Sequence, residues 1–381
     1  MLAVVLVLSC TRASETGPSR AAPPAASRAY TAIDTSGFKD GIKHYQNKTD
    51  QKDYPRYQED QIFQIASNLL IYQRSNGGWP ANFDPLRMLS ALEGNNVSSQ
   101  RLQEDTTFDN RATYPNIEYL AAAYKQTNEQ SFLDAAQRGV EFVLKSQYEN
   151  GGFPHSYPSK KDYRPLITFA DDVMPGVLAT LGRIAAGAPP FDAFDFALRQ
   201  AAAAAYAKGH ARLLALQIKV NGELTVWAGQ YDPQTLLPAM GRSYELPALV
   251  SSESVAVVRY LMALPKPTAE DKSAIEAAVR WFERSKIQGI RVEEVPAEPV
   301  RYEYHSSSID RRVVEDANAP PIWARFYEIE TNRPFLANRD GRKVYTLAEV
   351  ERERRTGYSW YNDAPAELLA RDYPAWRARM R

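Results

Sequence analysis

Two stretches of the chain share one pattern, Gln73-Arg74-Ser75-Asn76-Gly77-Gly78-Trp79-Pro80 and Gln147-Tyr148-Glu149-Asn150-Gly151-Gly152-Phe153-Pro154. Each follows an amphipathic segment, and a Gly-Gly pair supplies the positive φ with which many helices end. Glutamine, two glycines and an aromatic residue after a helix are typical of α/α toroids, in which helices alternate between two layers. The alternative is a pair of unrelated helix ends. The repeat therefore predicts an all-α fold of the toroid type.

Apolar residues at a spacing of three and four predict helices along most of the chain after residue 58. The predicted helical segments are 62–70, 117–124, 135–144, 174–186, 194–218, 254–264 and 269–286. Alternating patterns are scarce, and the best hairpin candidate is 219–227, with a turn at Asn221-Gly222. Residues 289 to 345 are rich in proline and charge, so we predict long irregular loops there, forming a substrate cleft.

The N-terminal region predicts export. Residues 1–10 are apolar and too short to span a bilayer, and Val7-Leu8-Ser9-Cys10 resembles a bacterial lipobox, although no basic residue precedes it. We expect a signal peptide with a lipobox in 1–10, a flexible linker in 11–40 and a catalytic domain in 41–381. The expected location is the periplasm, the cell envelope through a lipid at Cys10, or the medium.

The overall charge restricts the class of partner. The chain has 46 basic and 46 acidic residues, so its formal net charge is zero, which argues against a nucleic-acid binder. An anionic ligand would need a local cluster of arginine or lysine. With a single cysteine the chain cannot form an internal disulfide, and we expect a monomer.

Two acidic segments have related sequences, Thr107-Phe108-Asp109-Asn110 and Thr168-Phe169-Ala170-Asp171-Asp172. An acid at the start of a helix is often only a cap. Two segments of the same type in one chain favour a shared site instead. Carboxylate and amide oxygens are hard ligands, which suit Ca²⁺ better than zinc. Asp109, Asp171 and Asp172 are therefore the predicted calcium ligands.

Three arginines, Arg242, Arg325 and Arg339, lie among aromatic residues in separate segments. A guanidinium fork binds carboxylates through two hydrogen bonds, although any single arginine is more often a surface ion pair. Acids together with arginines indicate a polyanionic sugar held by metal and guanidinium groups. Other chemistries are poorly supported, because the histidines lack zinc spacing and neither a nucleophile elbow nor a phosphate loop is present.

Taken in order, these segments resemble the family 10 polysaccharide lyases, a family of pectate lyases. The matching motifs are Asn76–Pro80, Thr107–Asn110, Phe169–Met174, Trp227–Pro233, Arg242–Pro247, Trp323–Glu328 and Arg339–Gly341. The resemblance spans about residues 55–365. It implies an (α/α)3 toroid, calcium as cofactor, and β-elimination on polygalacturonate (pectate).

The resemblance also implies roles for individual residues. Arg339 looks like the base that removes the C5 proton, and Asp109 looks like a catalytic and calcium-binding acid. Asp171 or Asp172 looks like a second calcium ligand. The expected substrate-binding residues are Asn110, Arg242, Arg325, Trp227, Tyr231 and Tyr244.

Four positions depart from the family pattern, namely Arg111, Ala170, Ala228 and Tyr231, where Gly, Asn, Cys and His are usual. Arg111 beside the acids would weaken calcium binding by repulsion. Two alternatives to a lyase stay open at this stage. One is an inverting glycoside hydrolase with Asp109 and Asp171 or Asp172 as acid and base. The other is a pectin-binding protein without catalytic activity.

Overall fold

The structure is a computed structural model that describes residues 30–159 and 161–380. The predicted signal peptide and lipobox, and residues 11–29 of the predicted linker, lie outside the described residues. Within residues 30–40, a 3-10 turn spans Ser36–Phe38, and the ring of Phe38 packs 5.3 Å from that of Tyr119. In the described part of the chain, none of the helices has the length and apolar character needed to cross a membrane.

The helices match the predicted apolar periodicity closely. They are α1 (Lys39–Thr49), α2 (Ile62–Tyr72), α3 (Ala91–Ser99), α4 (Tyr114–Thr127), α5 (Gln130–Ser146), α6 (Val173–Ala185), α7 (Phe196–Ala215), α8 (Ser251–Ala263), α9 (Ala269–Arg284), α10 (Arg352–Gly357), α11 (Ala364–Glu367) and α12 (Tyr373–Arg379). Each of the seven predicted segments falls on one of the helices between α2 and α9.

Strands connect and follow these helices. They are β1 (Ile167–Thr168), β2 (Lys219–Val220), β3 (Glu223–Leu224), β4 (Gln230–Tyr231), β5 (Leu249–Val250), β6 (Ile290–Arg301), β7 (Ser306–Glu315), β8 (Trp323–Ala324), β9 (Phe326–Tyr327), β10 (Pro334–Ala337), β11 (Lys343–Val344) and β12 (Tyr361–Asn362). The predicted hairpin around Asn221-Gly222 is confirmed, since β2 pairs with β3 across those two residues.

The prediction of an all-α fold is wrong. The chain is 46% helical and 15% strand, and the strands form several small sheets. The largest departures are the antiparallel hairpin of β6 and β7 and a four-stranded sheet in the order β11-β10-β9-β5. Both lie largely in the region that was predicted to be irregular. The hairpin was missed because facing charges, Glu294 across from Arg311 and Glu293 across from Arg312, interrupt its apolar residues. Only a few of its apolar side chains, among them Val292 and Val313, pack against a buried cluster.

The helices between α2 and α9 pack in two layers. Helices α2, α5, α7 and α9 contact one another in succession, and α4, α6 and α8 form a second succession beside them. Glutamines join the first layer. Gln73 Nε2 donates to the carbonyl of Ala135 at 2.8 Å, and Gln147 Nε2 donates to that of Ala205 at 2.9 Å. Gln217 does the same to Ala274 at 3.0 Å, so the repeat seen in the sequence has a third member.

Buried aromatic residues fix the chain after these helices. The indole N–H groups of Trp79, Trp227 and Trp323 donate to carbonyls of the preceding helix at 2.7–2.8 Å. All three tryptophans are fully buried. Gly77 and Gly151 have φ of 94° and 96°, and a Cβ at either would meet a backbone carbonyl oxygen at 2.2–2.4 Å. The Gly-Gly pair is therefore required where the chain passes under the next helix.

Candidate active site

Backbone hydrogen bonds join the segments that follow the buried aromatics. The backbone amides of Phe108, Phe169 and Ser251 donate hydrogen bonds to backbone carbonyl oxygens. The acceptors are those of His155, Gly229 and Arg325, in that order. These bonds are 2.8–3.0 Å long. Residues far apart in sequence are thus held in one row at the same end of the helical layers. The polar side chains predicted from the sequence lie along this row.

The two acidic segments adopt the same backbone conformation. Each begins with a buried phenylalanine and continues into a short 3-10 turn, Asp109–Arg111 in one and Ala170–Asp172 in the other. Asn110 and Asp171 have φ of 50° and 52°, and the residue after each has φ of 59°. Residues other than glycine seldom adopt this left-handed backbone conformation. Residues held in such conformations are concentrated at functional sites.

The turns bring Asp109 and Asp171 against each other. Their carboxylate oxygens and a ring nitrogen of His155 all lie within 4.8 Å of one another. The Oδ1 atom of Asp109 is buried and accepts no hydrogen bond from the described residues, although the Nε2 atom of His155 lies 3.2 Å away. Burial and the charge of Asp109 raise the pKa of Asp171 well above its usual value. Burial also acts to raise the pKa of Asp109, but His155 and Arg242 outweigh it and lower that pKa.

Such a pair needs a compensating cation. Two carboxylates this close cannot both ionise cheaply unless positive charge lies between or beside them. An acid pair with one unsatisfied oxygen fits a hard divalent ion that takes oxygen ligands, which describes calcium. Asp172 is placed differently, because it forms an ion pair with Arg111. The structure therefore groups Asp109 with Asp171 and leaves Asp172 and Arg111 beside them.

Two of the three predicted arginines border the acid pair. The Nη2 atom of Arg242 is 3.9 Å from Oδ1 of Asp109, while its Nη1 atom donates to Glu245 at 2.9 Å. Its guanidinium also lies 5.7 Å from the ring centre of Tyr163. Burial lowers the pKa of Arg242, but the charge of Glu245 and then of the aspartates outweighs burial and raises it.

Arg325 forms the other edge of the site. It pairs with buried Glu253, and its guanidinium stacks 4.6 Å from the ring centre of Tyr358. Burial lowers its pKa, whereas the charge of Glu253 and that of Asp171 raise it. The Nε–H group of Arg325 is buried and has no acceptor among the described residues. A buried donor that lacks an acceptor costs free energy.

Arg339, the predicted base, belongs to a separate cluster. Its guanidinium makes a two-pronged ion pair with Glu353 at 2.8 and 3.2 Å, and Glu353 also binds Arg354. Tyr244 lies between Arg339 and Arg354, with its ring centre 5.4 and 4.6 Å from the two guanidinium carbons. The described contacts of Arg339 include none with Asp109 or Asp171. Arg339 therefore lies in a cluster of its own, and its role as the base stays a prediction.

The aromatic residues predicted to bind substrate are buried. Trp227 and Tyr231 are 0% and 1% exposed, and Tyr244 is 5% exposed. The Tyr231 hydroxyl donates to the carbonyl of Leu216 and accepts from the amide of Ala228, both at 2.7 Å. These three side chains are buried beneath the site and cannot contact a substrate directly. The prediction that they bind substrate is therefore wrong. Asn110 is also buried, and its amide donates to Asn82 at 2.7 Å.

A sequence signal for this burial was present. Trp227-Ala228-Gly229-Gln230-Tyr231 is repeated as Trp323-Ala324-Arg325-Phe326-Tyr327. In both copies the tyrosine hydroxyl bonds to the alanine amide and to a carbonyl at the end of the preceding helix. A shared structural role explains both tyrosines. His155, Glu245 and Glu253 were missed because single residues of these types carry no pattern.

An open cleft of about 550 Å³ lies beside the acid pair, lined by Arg111, Asp171, Asp172, Glu253 and Arg325 together with residues of α1. Charged groups of both signs line this cleft, and its guanidinium groups are of the kind that binds carboxylates. The family model for pectic acid lyase matches residues 73–369, which is more than half of the chain. The chain thus belongs to the pectic acid lyase family and is a polysaccharide lyase.

Solved structures agree with this membership. The chain is similar to a family 10 polysaccharide lyase from Cellvibrio cellulosa, with 30% identity and a TM-score of 0.69 over 91% of this chain and 99% of the other. It is also similar to a mutant of the Cellvibrio cellulosa lyase in complex with trigalacturonic acid. There the identity is 32% and the TM-score 0.70, over 89% of this chain and 98% of the other. No curated protein matches the chain.

Proposed function

We propose that this lyase cleaves α-1,4-linked polygalacturonate by calcium-assisted anti β-elimination and releases 4,5-unsaturated oligogalacturonides. The observation that carries the proposal is the crowded pair of Asp109 and Asp171, bordered by Arg242 and Arg325. β-Elimination requires a neutralised substrate carboxylate, a base for the C5 proton and departure of the C4 oxygen. This group of side chains offers the first two.

Asp109 and Asp171 are the residues that would hold calcium, and the Nε2 atom of His155 lies 3.2 Å from Asp109 beside them. Bound calcium would supply positive charge that withdraws electrons from the substrate carboxylate and so acidifies the C5 proton. Arg325 supplies a second positive charge from the chain itself. Its ion pair with Glu253 and its stacking on Tyr358 hold the guanidinium in place before substrate arrives.

For the base, the geometry supports Arg242 rather than Arg339. Both arginines have an ion-pair partner, Glu245 for Arg242 and Glu353 for Arg339. Of the two, only Arg242 also lies beside Asp109 in the described contacts. An arginine can act as a base only if its pKa falls far below its solution value. Burial acts to lower the pKa of Arg242, but Glu245, then Tyr244 and the two aspartates, outweigh burial and raise it. A cation bound at the aspartates would remove their part of this effect, and a high pH would supply the remaining driving force for deprotonation.

An inverting hydrolase is poorly supported by the same geometry. Inverting enzymes hold their two carboxyl groups roughly 6.5–9.5 Å apart to leave room for a water molecule. The oxygens of Asp109 and Asp171 lie within 4.8 Å. This spacing suits a shared cation better than an acid and a base on opposite faces of a sugar ring.

The test is absorbance at about 230 nm on polygalacturonate near pH 9, with calcium and then with chelator. A calcium-dependent rise is expected, because each elimination creates a conjugated unsaturated uronate. A flat trace with new reducing ends would mean hydrolysis. A flat trace with oligogalacturonate binding alone would mean a pectin-binding protein.

The predicted export and lipid anchor stay part of the proposal, together with a monomeric state. Export fits a polymeric substrate that cannot cross a membrane. Radiolabelled palmitate incorporation into the wild-type chain and into Cys10→Ser checks the lipid. Label in both forms or in neither would contradict attachment at Cys10.

A further inference from the structure

Helix α1 forms one wall of the cleft beside the acid pair. Lys39, Asp40 and Lys43 line this cleft together with Asp171 and Arg325. The helix is fixed in place by Phe38 and Ile42, which are buried in the main core. It also packs against the turn that carries Asp109. Helix α1 lies outside residues 73–369, where the family model matches.

Some charged groups in this cleft have an ion-pair partner within the described residues, and others have none. Arg111 is paired with Asp172, Arg325 is paired with Glu253, and Asp171 belongs to the pair with Asp109. The two arginines are therefore compensated within the protein, whereas Asp171 belongs to the crowded acid pair. Asp40 lies 3.7 Å from His44 on the same helix.

Lys39 and Lys43 differ from the other cations of the cleft. Both are exposed, and neither forms an ion pair within the described residues. They lie one helical turn apart, so their ammonium groups reach the same region of the cleft. An unpaired ammonium pair on a fixed helix attracts a carboxylate that the site residues do not hold.

We propose that Lys39 and Lys43 form an additional subsite for the carboxylate of a uronate unit beyond the one held at the acid pair. The inference rests on the proposed function, since it requires a polyuronate in the cleft. Arg242 does not line this part of the cleft. The lysines therefore bind and position the chain, and they take no part in proton transfer.

The test compares the steady-state kinetics of the wild type and three variants on hexagalacturonate. They are the wild type, Lys39→Gln/Lys43→Gln, Lys39→Arg/Lys43→Arg, and the control Lys48→Gln on the part of α1 that does not line the cleft. We expect the double glutamine variant to raise KM about fivefold with kcat unchanged, because two exposed ion pairs are lost. The double arginine variant should restore KM, and added salt should reduce the difference between wild type and variant.

The outcomes separate the two proposals. If the wild type acts on hexagalacturonate and the double glutamine variant has the KM of Lys48→Gln, the subsite is refuted and the lyase stands. If the double glutamine variant loses kcat rather than KM, the lysines do not act as a binding subsite. If the wild type neither cleaves nor binds oligogalacturonates, the proposed function fails and this inference fails with it. Circular dichroism of each variant checks that α1 is still folded.

Discussion

Two charged clusters meet near Tyr244, and they differ in how completely their charged groups are paired. In the first, Asp109 and Asp171 crowd together, an oxygen of Asp109 lacks a hydrogen bond, and their pKa values are pushed in opposite directions. In the second, Glu353 lies between Arg339 and Arg354, and both of its oxygens are bound. The first cluster gains from a cation and a ligand, whereas the second is already complete.

The difference shows how to separate function from stability among charged residues. When every charged atom of an ion pair already has a partner, a bound substrate gains no new contact there. An incomplete cluster costs folding free energy, and it persists where a ligand or a reaction needs it. On this criterion we expect the chemistry at the acid pair and Arg242, and we expect the cluster of Arg339 to stabilise the loop beside it.

Removing one arginine from each cluster tests whether the two clusters differ in function. Arg242→Ala should lower kcat about 10³-fold, because it removes the proposed general base. Arg339→Ala should leave kcat within about fivefold of the wild type, since it removes a half-exposed ion pair. The rate of absorbance increase near 230 nm measures both, as roughly one chromophore per cleavage.

The reverse result would return the base to Arg339. Loss of activity in both variants would mean that the two clusters act together and that the contrast between them is false. Thermal melting of each variant distinguishes lost chemistry from lost folding.

A second prediction concerns the cation. Calcium should raise the Tm of the wild type, since it binds only the folded site, and Asp171→Asn should abolish this increase. At saturating calcium, about 100 times Kd, the lost stabilisation is about 3 kcal/mol. Without calcium, Asp171→Asn should be more stable than the wild type, because a like charge next to Asp109 is gone.

Asp172→Asn is the matched control, because Asp172 is paired with Arg111 rather than with Asp109. Its Tm should keep the calcium response. If Asp172→Asn loses the response and Asp171→Asn keeps it, the assignment of the acids is reversed. Calorimetric unfolding with and without chelator decides between them.

The helices and the acidic segments could be predicted because their signals are local. Helical spacing of apolar residues placed α2 and α4 to α9 correctly, and the repeated Thr-Phe preceding the acids marked a pair of similar turns. The Gly-Gly pairs indicated where the chain must turn beneath a helix. These features depend on neighbours in sequence, where one chain is enough to see them.

The remainder depended on contacts between distant segments. The hairpin of β6 and β7 has no regular apolar alternation, because charged residues interrupt the few valines that pack against the core. The sequence showed three arginines among aromatics and could not show that Glu353 lies next to one of them. Burial of Trp227 and Tyr231 was likewise a property of the fold, visible in advance only through the repeat at Trp323 and Tyr327.

A third prediction tests the structural role of the buried tyrosines. Tyr231→Phe should lower the free energy of unfolding by about 1–3 kcal/mol, because the amide of Ala228 and the carbonyl of Leu216 lose a buried partner. Tyr327→Phe should behave alike, since its hydroxyl makes the equivalent bonds. Urea denaturation measures both. Activity per folded molecule should be unchanged.

The control for this pair is Tyr345→Phe, where the hydroxyl bonds to Glu328 at the exposed surface. Its effect should be within about 0.5 kcal/mol. A Tyr231→Phe variant that is as stable as the control but has a raised KM would restore Tyr231 as a substrate-binding residue.

The smallest expected effect is a change in the acid dependence of stability through Glu353. Burial acts to raise the pKa of Glu353, but hydrogen bonds from Arg354 and Arg339 outweigh burial and lower the pKa from 4.5 to about 2. The folded-state pKa is therefore below the unfolded one, so this group stabilises the fold above pH 4.5 and loses that effect as pH falls towards 2. Glu353→Gln should lower stability at neutral pH and flatten the change in stability between these two pH values. Glu141→Gln, at an exposed position of α5, should leave the pH profile as in the wild type. If urea denaturation shows the same acid slope in Glu353→Gln as in the wild type, the second cluster is not the complete, stabilising one that its geometry indicates.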